Sequence, residues 1–161
     1  MALMNEYAQN LGCTNTNFTD VHGVDDVSQY STARDLGKIL AAAVKNEVFA
    51  KIFGTVYHTV PATNLSDKRG LISENYIISG DFVQIYYDGR VKGSRTGVMS
   101  DKTRCIASVA ESNNMQVVCI ILGSASVYEA GGVKVRSFGG YTETSDMLDL
   151  AFDGYQPRQL F

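Results

Sequence analysis

Two alternating segments joined by a short polar turn constrain the fold of this chain more than any other feature of its sequence. TRCIASVAE (103–111) and MQVVCIILG (115–123) are rich in β-branched and apolar residues, and Ser-Asn-Asn at 112–114 separates them. Asparagine tolerates the left-handed backbone that a tight hairpin turn requires. We therefore expect the two segments to pair antiparallel, with the strand through Thr96 beside the first of them.

Other segments complete the expected secondary structure. Further strands are predicted at TVYHTV (55–60), FVQIYY (82–87) and RVKGSRTG (90–97), with irregular structure at 13–31 and 61–81. Helices are predicted at 2–11, from Thr32 to about Asn46, at 48–53 and at 143–154, with Gly12 and Gly54 as terminators. Thr32 and Asp35 together resemble a capping box. The fold class is α+β, an antiparallel sheet with flanking helices in one domain. Its residues 1–60 are mainly helical and its residues 82–161 hold the sheet strands and a closing helix.

Composition and charge exclude several function classes. The 161 residues are 45% apolar and carry a net charge of −3, so no basic surface is expected for nucleic-acid phosphates. No apolar run approaches the ~20 residues of a membrane span, and no signal peptide is recognised at the N-terminus.

We interpret Cys13, Cys105 and Cys119 as buried small hydrophobes. His58 has no neighbour at metal-ligand spacing, so no metal site is expected.

The order of several short motifs resembles a known enzyme family. MNEYAQNLGCTNTNFTDVHGV is followed by YSTARDLGKIL, then by Arg-Thr-Gly on a strand, then by a hairpin that ends in VVCIILG. This series is similar to the serine-type D-alanyl-D-alanine carboxypeptidases, the low-molecular-weight penicillin-binding proteins. The resemblance implies a β-lactamase/transpeptidase-like (penicillin-binding) domain, of which residues 1–161 would be the C-terminal portion, and it implies no cofactor.

The nucleophile motif of that family is missing from this sequence. The family needs Ser-x-x-Lys, then Ser-x-Asn, then Lys-Thr/Ser-Gly on the strand that lines the cleft. No serine here precedes a lysine by three positions. SEN (73–75) and SNN (112–114) match Ser-x-Asn only in letters, because both follow the Met-Asn helix, whereas the family places its motif before that helix. No catalytic residue is therefore assigned, and the chain alone is expected to be inactive.

Arg95-Thr96-Gly97 has the chemistry of a carboxylate-binding strand. A cation, a hydroxyl donor and a residue without a side chain suit a peptide that binds as an added strand. The resemblance implies that the N–H of Val98 would be an oxyanion donor and that His22, in a His-Gly loop, borders the cleft. An ordinary explanation stays open, in which Arg95 is a solvated strand residue and Gly97 a bulge. For His22 it is a loop histidine that ties down the backbone.

Two functions follow from these observations. The chain is either part of a carboxypeptidase that acts on peptidoglycan stem peptides ending in D-Ala-D-Ala, or a degenerate, non-catalytic module that binds peptidoglycan or a partner protein. The family resemblance implies an extracytoplasmic location in the cell envelope.

Without the serine-bearing helix, we expect CIASVA, VVCIIL and the helix from Ala33 to Asn46 to expose apolar faces, and the chain to associate with itself or with the missing N-terminal half. Residues between Asn75 and Arg95 look like an insertion that could reshape the cleft wall.

Overall fold

A three-stranded antiparallel sheet organises the chain, in a computed structural model that describes residues 1–24, 26–81, 83–99, 101–128 and 135–155. Its strands are β3 (Val91–Val98), β4 (Arg104–Ser112) and β5 (Met115–Ser124), in the order β3-β4-β5. Thr96 lies opposite Ile106, and Ser112 lies opposite Met115 at the turn. The predicted hairpin and its neighbouring strand are thus confirmed.

Three helices precede the sheet at positions close to those predicted. They are α1 (Ala2–Asn10), α2 (Ala33–Ala43) and α3 (Glu47–Phe53). The chain leaves α1 through Gly12 at φ +74°, a left-handed conformation that costs glycine little. Helix α2 ends at Ala43 rather than near Asn46, because Asn46 caps α3 by accepting a hydrogen bond from the Phe49 N–H.

The capping box expected at α2 is only half formed. The Thr32 hydroxyl accepts a hydrogen bond from the Asp35 N–H at 3.1 Å. The Asp35 carboxylate does not turn back to the Thr32 backbone. It accepts hydrogen bonds from the Asn15 N–H and the Thr16 hydroxyl, both at 2.9 Å. The carboxylate therefore joins α2 to the loop after α1.

The closing helix α4 (Tyr141–Gly154) covers one face of the sheet, and α2 packs on β5 and β4. The main core contains Ile106, Ala110 and Cys119 of the strands and Tyr141, Leu148 and Phe152 of α4. The expectation that CIASVA would expose its apolar face is therefore wrong in this structure, whereas VVCIIL is covered only in part. Ile106 and Ala110 of β4 are almost fully buried, whereas in β5 Cys119 is buried and Leu122 exposes 40% of its surface.

Two predictions about the middle of the chain need correction. FVQIYY is not a strand: a 3-10 turn spans Gln84–Tyr86, and Phe82 lies outside the described residues. The region 61–81 is not wholly irregular, because β2 (Arg69–Ile72) pairs antiparallel with β1 (Tyr57–Val60). A further antiparallel pair, β6 (Val127–Tyr128) and β7 (Val135–Ser137), was not predicted from the sequence.

The residues between Asn75 and Arg95 add to the core beneath α4. Ile77, Ile78 and Tyr86 are buried, and the Tyr86 ring packs on Tyr141 at a centroid distance of 5.2 Å. The Arg90 guanidinium then donates to Asp88 and Asp149, each at 2.7 Å. The Tyr86–Tyr141 packing and the Arg90–Asp149 ion pair therefore join this segment to α4.

Candidate functional site

Strand β3 places Arg95, Thr96, Gly97 and Val98 along an edge of the main sheet. Among the described strands β3 pairs only with β4, so its other side presents free backbone groups. Arg95, Gly97 and Val98 are exposed, and Thr96 is half-buried. An edge with these residues can accept an extended peptide as an additional strand.

Successive β3 side chains alternate between the two faces of the sheet. Gly93 lies against Phe53 of α3, whereas Ser94 points to the opposite face and contacts Ser108 of β4. By the same alternation Arg95 faces α3, and Thr96 lies beside Tyr141 at the start of α4. Burial raises the pKa of Tyr141, and its interactions with the Tyr76 backbone and the Thr96 hydroxyl partly oppose that rise.

A buried polar network fixes β3 directly beneath Arg95. The Asn75 side-chain amide donates to Ser94 Oγ at 2.9 Å, and Ser94 Oγ lies 2.9 Å from Ser108 Oγ. The Asn75 side-chain oxygen accepts from the Ile77 N–H at 3.2 Å. All three polar side chains are almost completely buried, so these hydrogen bonds have no competing water and hold the strand in one position.

Two cavities meet at Arg95. The first, which we call the polar cavity, has a volume of ≈ 320 Å³ and is lined by Ile72, Ser73, Glu74, Asn75, Arg95 and Thr96. The second, which we call the α3 cavity, has a volume of ≈ 340 Å³ and is lined by Phe49, Ile52, Phe53, Thr55, Ser73, Ser94 and Arg95. Ser73 and Arg95 line both cavities, so the two spaces adjoin at these residues.

A third cavity, of ≈ 320 Å³, lies at the end of β3. Its lining includes Gly97, Val98 and Cys105 of the sheet and Gly23 of the His-Gly loop. A Cβ built on Gly97 would meet no atom within 4 Å, so the space beside this glycine is open. The predicted site residues thus divide between two places, with Arg95 and Thr96 at the polar cavity and Gly97 and Val98 at this third one.

The His22 side chain is exposed, and its neighbour Gly23 lines the third cavity in its place. The Asp20 carboxylate shapes this loop, accepting from the His22 and Gly23 N–H groups at 2.7 and 2.6 Å. Those backbone hydrogen bonds hold the pKa of Asp20 below its usual range.

Within the described ranges, no cluster of three or more His, Cys, Asp or Glu side chains is placed to bind a metal ion. His58 is exposed on β1. Cys13 and Cys119 are buried as expected, and burial raises the pKa of both thiols. Cys105 is half-buried and borders the third cavity.

Comparison with known proteins identifies the family. The family model for D-alanyl-D-alanine carboxypeptidases matches residues 1–126. This chain belongs to that family. It is 27% identical over 158 residues to the D-alanyl-D-alanine carboxypeptidase DacF of Bacillus subtilis, covering 98% of this chain and 36% of the relative. It is 33% identical over 123 residues to DacA of Haemophilus influenzae, covering 74% of this chain and 28% of the relative.

The fold agrees with a solved member of the same group. The crystal structure of a D-alanyl-D-alanine carboxypeptidase from Mycobacterium tuberculosis superposes with a TM-score of 0.73 at 23% identity, covering 98% of this chain and 54% of the other. The expected α+β, transpeptidase-like fold class is thereby confirmed. The chain spans about a third of the length of the curated relatives and about half of the solved one.

Several site residues were not predicted from the sequence. Ser94, Ser108 and Ser73 resemble any surface serine, since nothing in a single sequence marks a hydroxyl that pairs across strands. Phe49 and Phe53 carry only the helical spacing that any core-facing helix shows. The one sequence feature that pointed to this part of the site was the position of Asn75 next to an apparent insertion.

Proposed function

We propose that this chain forms part of a serine-type D-Ala-D-Ala carboxypeptidase acting on peptidoglycan stem peptides. In this proposal Arg95, Thr96 and Gly97 bind the terminal carboxylate and backbone of the peptide. The observation that carries the proposal is the position of Arg95 and Thr96 together at the polar cavity, on an edge strand with free backbone groups.

The chemistry of each residue supports its role. The positively charged Arg95 guanidinium can donate two parallel hydrogen bonds to a carboxylate. Thr96 adds a hydroxyl donor, and Gly97 leaves room for a peptide that lies alongside the strand. The Val98 N–H is one of two donors that would stabilise an oxyanion, the second coming with the nucleophile. Arginine in place of the family lysine favours anion binding over proton transfer.

The proposed setting is the cell envelope, where the substrate occurs. None of the helices in the described part of the chain is both long and apolar enough to cross a membrane. We also propose that the chain associates with the remainder of a family domain or with its own copies. Leu3 and Tyr7 of α1 expose 81% and 60% of their surfaces and border an apolar cavity of ≈ 460 Å³.

A second candidate is a non-catalytic module that binds the same peptides. The sequence favours it at one point, because no Ser-x-x-Lys occurs in these residues. Incubation of the purified chain with penicillin, followed by intact-mass measurement, tests whether these residues include a nucleophile of their own. We expect no penicilloyl adduct, and an adduct on a defined serine would show that a nucleophile is present here.

A binding titration tests the carboxylate site itself. A 15N-labelled chain is titrated with a tripeptide ending in D-Ala-D-Ala, and with the same peptide as a C-terminal amide. Amide shifts are expected along residues 94–98 with the free carboxylate only, and Arg95→Gln should weaken binding about tenfold or more. Arg69→Gln, on the exposed strand β2, is the matched control. Shifts that are equal for the amide, or unchanged by Arg95→Gln, would refute the proposal.

A further inference from the structure

Tyr141 is a buried phenol that lies beside Thr96 of the proposed carboxylate site. It is the first residue of α4, and only 1% of its surface is exposed. Its hydroxyl interacts with the side chain of Thr96. The lining of the polar cavity includes Thr96 but not Tyr141, so Tyr141 can act on a ligand in that cavity only through Thr96.

The packing around Ile106 also places Tyr141 next to Thr96. Thr96 lies opposite Ile106 in the β3–β4 register, and side chains directly opposite each other share one face of the sheet. A Cβ on Gly140 would lie 2.8 Å from Ile106 Cδ1, so the backbone at the start of α4 lies against Ile106. The next residue, Tyr141, is thereby brought to the neighbour of Ile106 on β3.

Neighbouring aromatic rings hold the Tyr141 ring in place. Its centroid lies 5.2 Å from that of Tyr86 and 5.6 Å from that of Tyr76. Tyr76 directly follows Asn75, which lines the same polar cavity as Thr96. The Tyr141 hydroxyl therefore has a fixed position before any ligand arrives, which lowers the entropic cost of using it in binding.

The partners of the Tyr141 hydroxyl decide where its hydrogen can go. Burial raises the pKa of Tyr141, and the Tyr76 backbone opposes that rise, as an N–H donor to the phenolic oxygen does. The phenolic hydrogen is then available to another acceptor, and the Thr96 oxygen is one. A threonine hydroxyl that accepts one hydrogen bond keeps its own hydrogen for a further acceptor, and each bond in such a chain polarises the next.

We propose that Tyr141 is a positioning residue of the carboxylate site, which holds the Thr96 hydroxyl with its hydrogen directed into the polar cavity. The inference rests on the proposed carboxylate-binding function. The Tyr76 N–H donates to the Tyr141 oxygen, the Tyr141 hydroxyl donates to Thr96, and Thr96 donates to the terminal carboxylate of the peptide. Thr96 thus meets the ligand as a donor, with its rotation already restricted.

A double-mutant cycle tests the coupling between Tyr141 and Thr96. Dissociation constants for a tripeptide ending in D-Ala-D-Ala are measured by calorimetry with the whole chain, for the wild type, Tyr141→Phe, Thr96→Val and the double variant. Tyr141→Phe keeps the ring and removes only the hydroxyl, and it should weaken binding about fivefold. In the Thr96→Val background the same substitution should change binding by less than about twofold, because the hydroxyl that Tyr141 orients is gone.

Tyr86→Phe is the matched control, since Tyr86 belongs to the same cluster of rings. Its hydroxyl accepts a hydrogen bond from the Phe138 N–H at 3.0 Å. This variant should keep the affinity within about twofold of the wild type, even where urea denaturation shows that it lowers stability as much as Tyr141→Phe does. A purely structural role of Tyr141 predicts equal effects of the two variants on affinity.

The outcomes separate this inference from the proposed function. Carboxylate-dependent binding that Tyr141→Phe leaves unchanged or makes tighter would overturn the inference and leave the carboxylate site standing. So would a loss that persists undiminished in the Thr96→Val background, or an equal loss in Tyr86→Phe. A wild-type chain that does not bind the peptide, or that binds its C-terminal amide equally well, would refute the proposed function and the inference together.

Discussion

Asp35 is the residue whose environment departs most from what its position in the sequence indicates. Its spacing from Thr32 predicts a partner in a capping box, but the carboxylate is buried and faces Asn15 and Thr16. Backbone and hydroxyl donors, with Lys38 3.5 Å away, hold its pKa below the usual range. A single sequence cannot reveal this contact, because the donors belong to a loop whose path is set by tertiary packing.

The depressed pKa of Asp35 predicts a pH dependence of stability. A carboxyl group whose folded-state pKa lies below its unfolded value of about 3.9 stabilises the protein above that pH, and the contribution is lost as the pH falls through the folded pKa. Asp35→Asn should therefore lower the melting temperature at pH 7, and the gap to the wild type should narrow below about pH 4. Asp67→Asn, at an exposed loop position, is the control. A gap that stays constant from pH 7 to pH 2 would contradict this assignment.

The buried hydroxyl pair of Ser94 and Ser108 predicts a strong, non-additive effect on stability. Ser94→Ala leaves the Asn75 amide and the Ser108 hydroxyl without this partner, which should cost about 1–3 kcal/mol in the free energy of unfolding. Ser108→Ala should then cost less in the Ser94→Ala background than in the wild type. Urea denaturation of the wild type, the two single variants and the double variant completes this double-mutant cycle. Ser28→Ala, at an exposed position, is the control. Additive costs would show that the two hydroxyls act independently.

Elements whose conformation is set by neighbouring residues in the sequence were predicted well. Elements whose conformation depends on contacts with distant segments were not. The β4–β5 hairpin has its turn residues and its alternation in one continuous segment, so it needs no tertiary information. Strand β2 (Arg69–Ile72) is exposed along its whole length and owes its conformation to pairing with β1. The hydrophobic pattern of its own residues could not predict that pairing. FVQIYY has strand-like composition, but Tyr86 turns into an aromatic cluster with Phe138 and Tyr141 and Ile85 points to solvent.

The hairpin turn offers a direct test of the backbone argument. Asn113 and Asn114 have φ values of +51° and +58°, so both lie in the left-handed region. Asn114→Ala should lower the free energy of unfolding by about 1 kcal/mol, because a Cβ is disfavoured in that conformation. Asn114→Gly should match or exceed the wild type. Guanidinium denaturation of the three proteins provides the comparison, and an alanine variant as stable as the glycine variant would argue against a left-handed turn.

Across the whole molecule, one face of the sheet is closed by α4, whereas the outer face of α1 is open. The family resemblance predicted uncovered apolar surface, but it placed that surface on the strands and α2. In the structure α1 exposes apolar side chains, with Leu3, Met4 and Tyr7 at 81%, 36% and 60% of their surfaces. Val48 and Ile52 of α3 are also exposed, at 68% and 70%. The location could not be read from the sequence, because covering the strands depends on how α2 and α4 pack on the two faces of the sheet.

This open face predicts association in solution. Burial of exposed leucine and tyrosine side chains releases about 25 cal/mol per Å² of apolar surface, and patches of several hundred Å² are rare on monomeric proteins. Sedimentation velocity from 1 to 100 µM should show a sedimentation coefficient that rises with concentration. The double substitution Leu3→Glu and Tyr7→Glu should keep the chain monomeric throughout that range, because charges on α1 oppose desolvation. Its far-UV circular dichroism should match that of the wild type, since both side chains lie outside the core. Ile85→Glu changes an equally exposed isoleucine away from α1 and should still associate. A wild-type chain that remains monomeric at 100 µM, or an Ile85→Glu variant that loses association as fully as the α1 variant, would show that α1 is not the interacting surface.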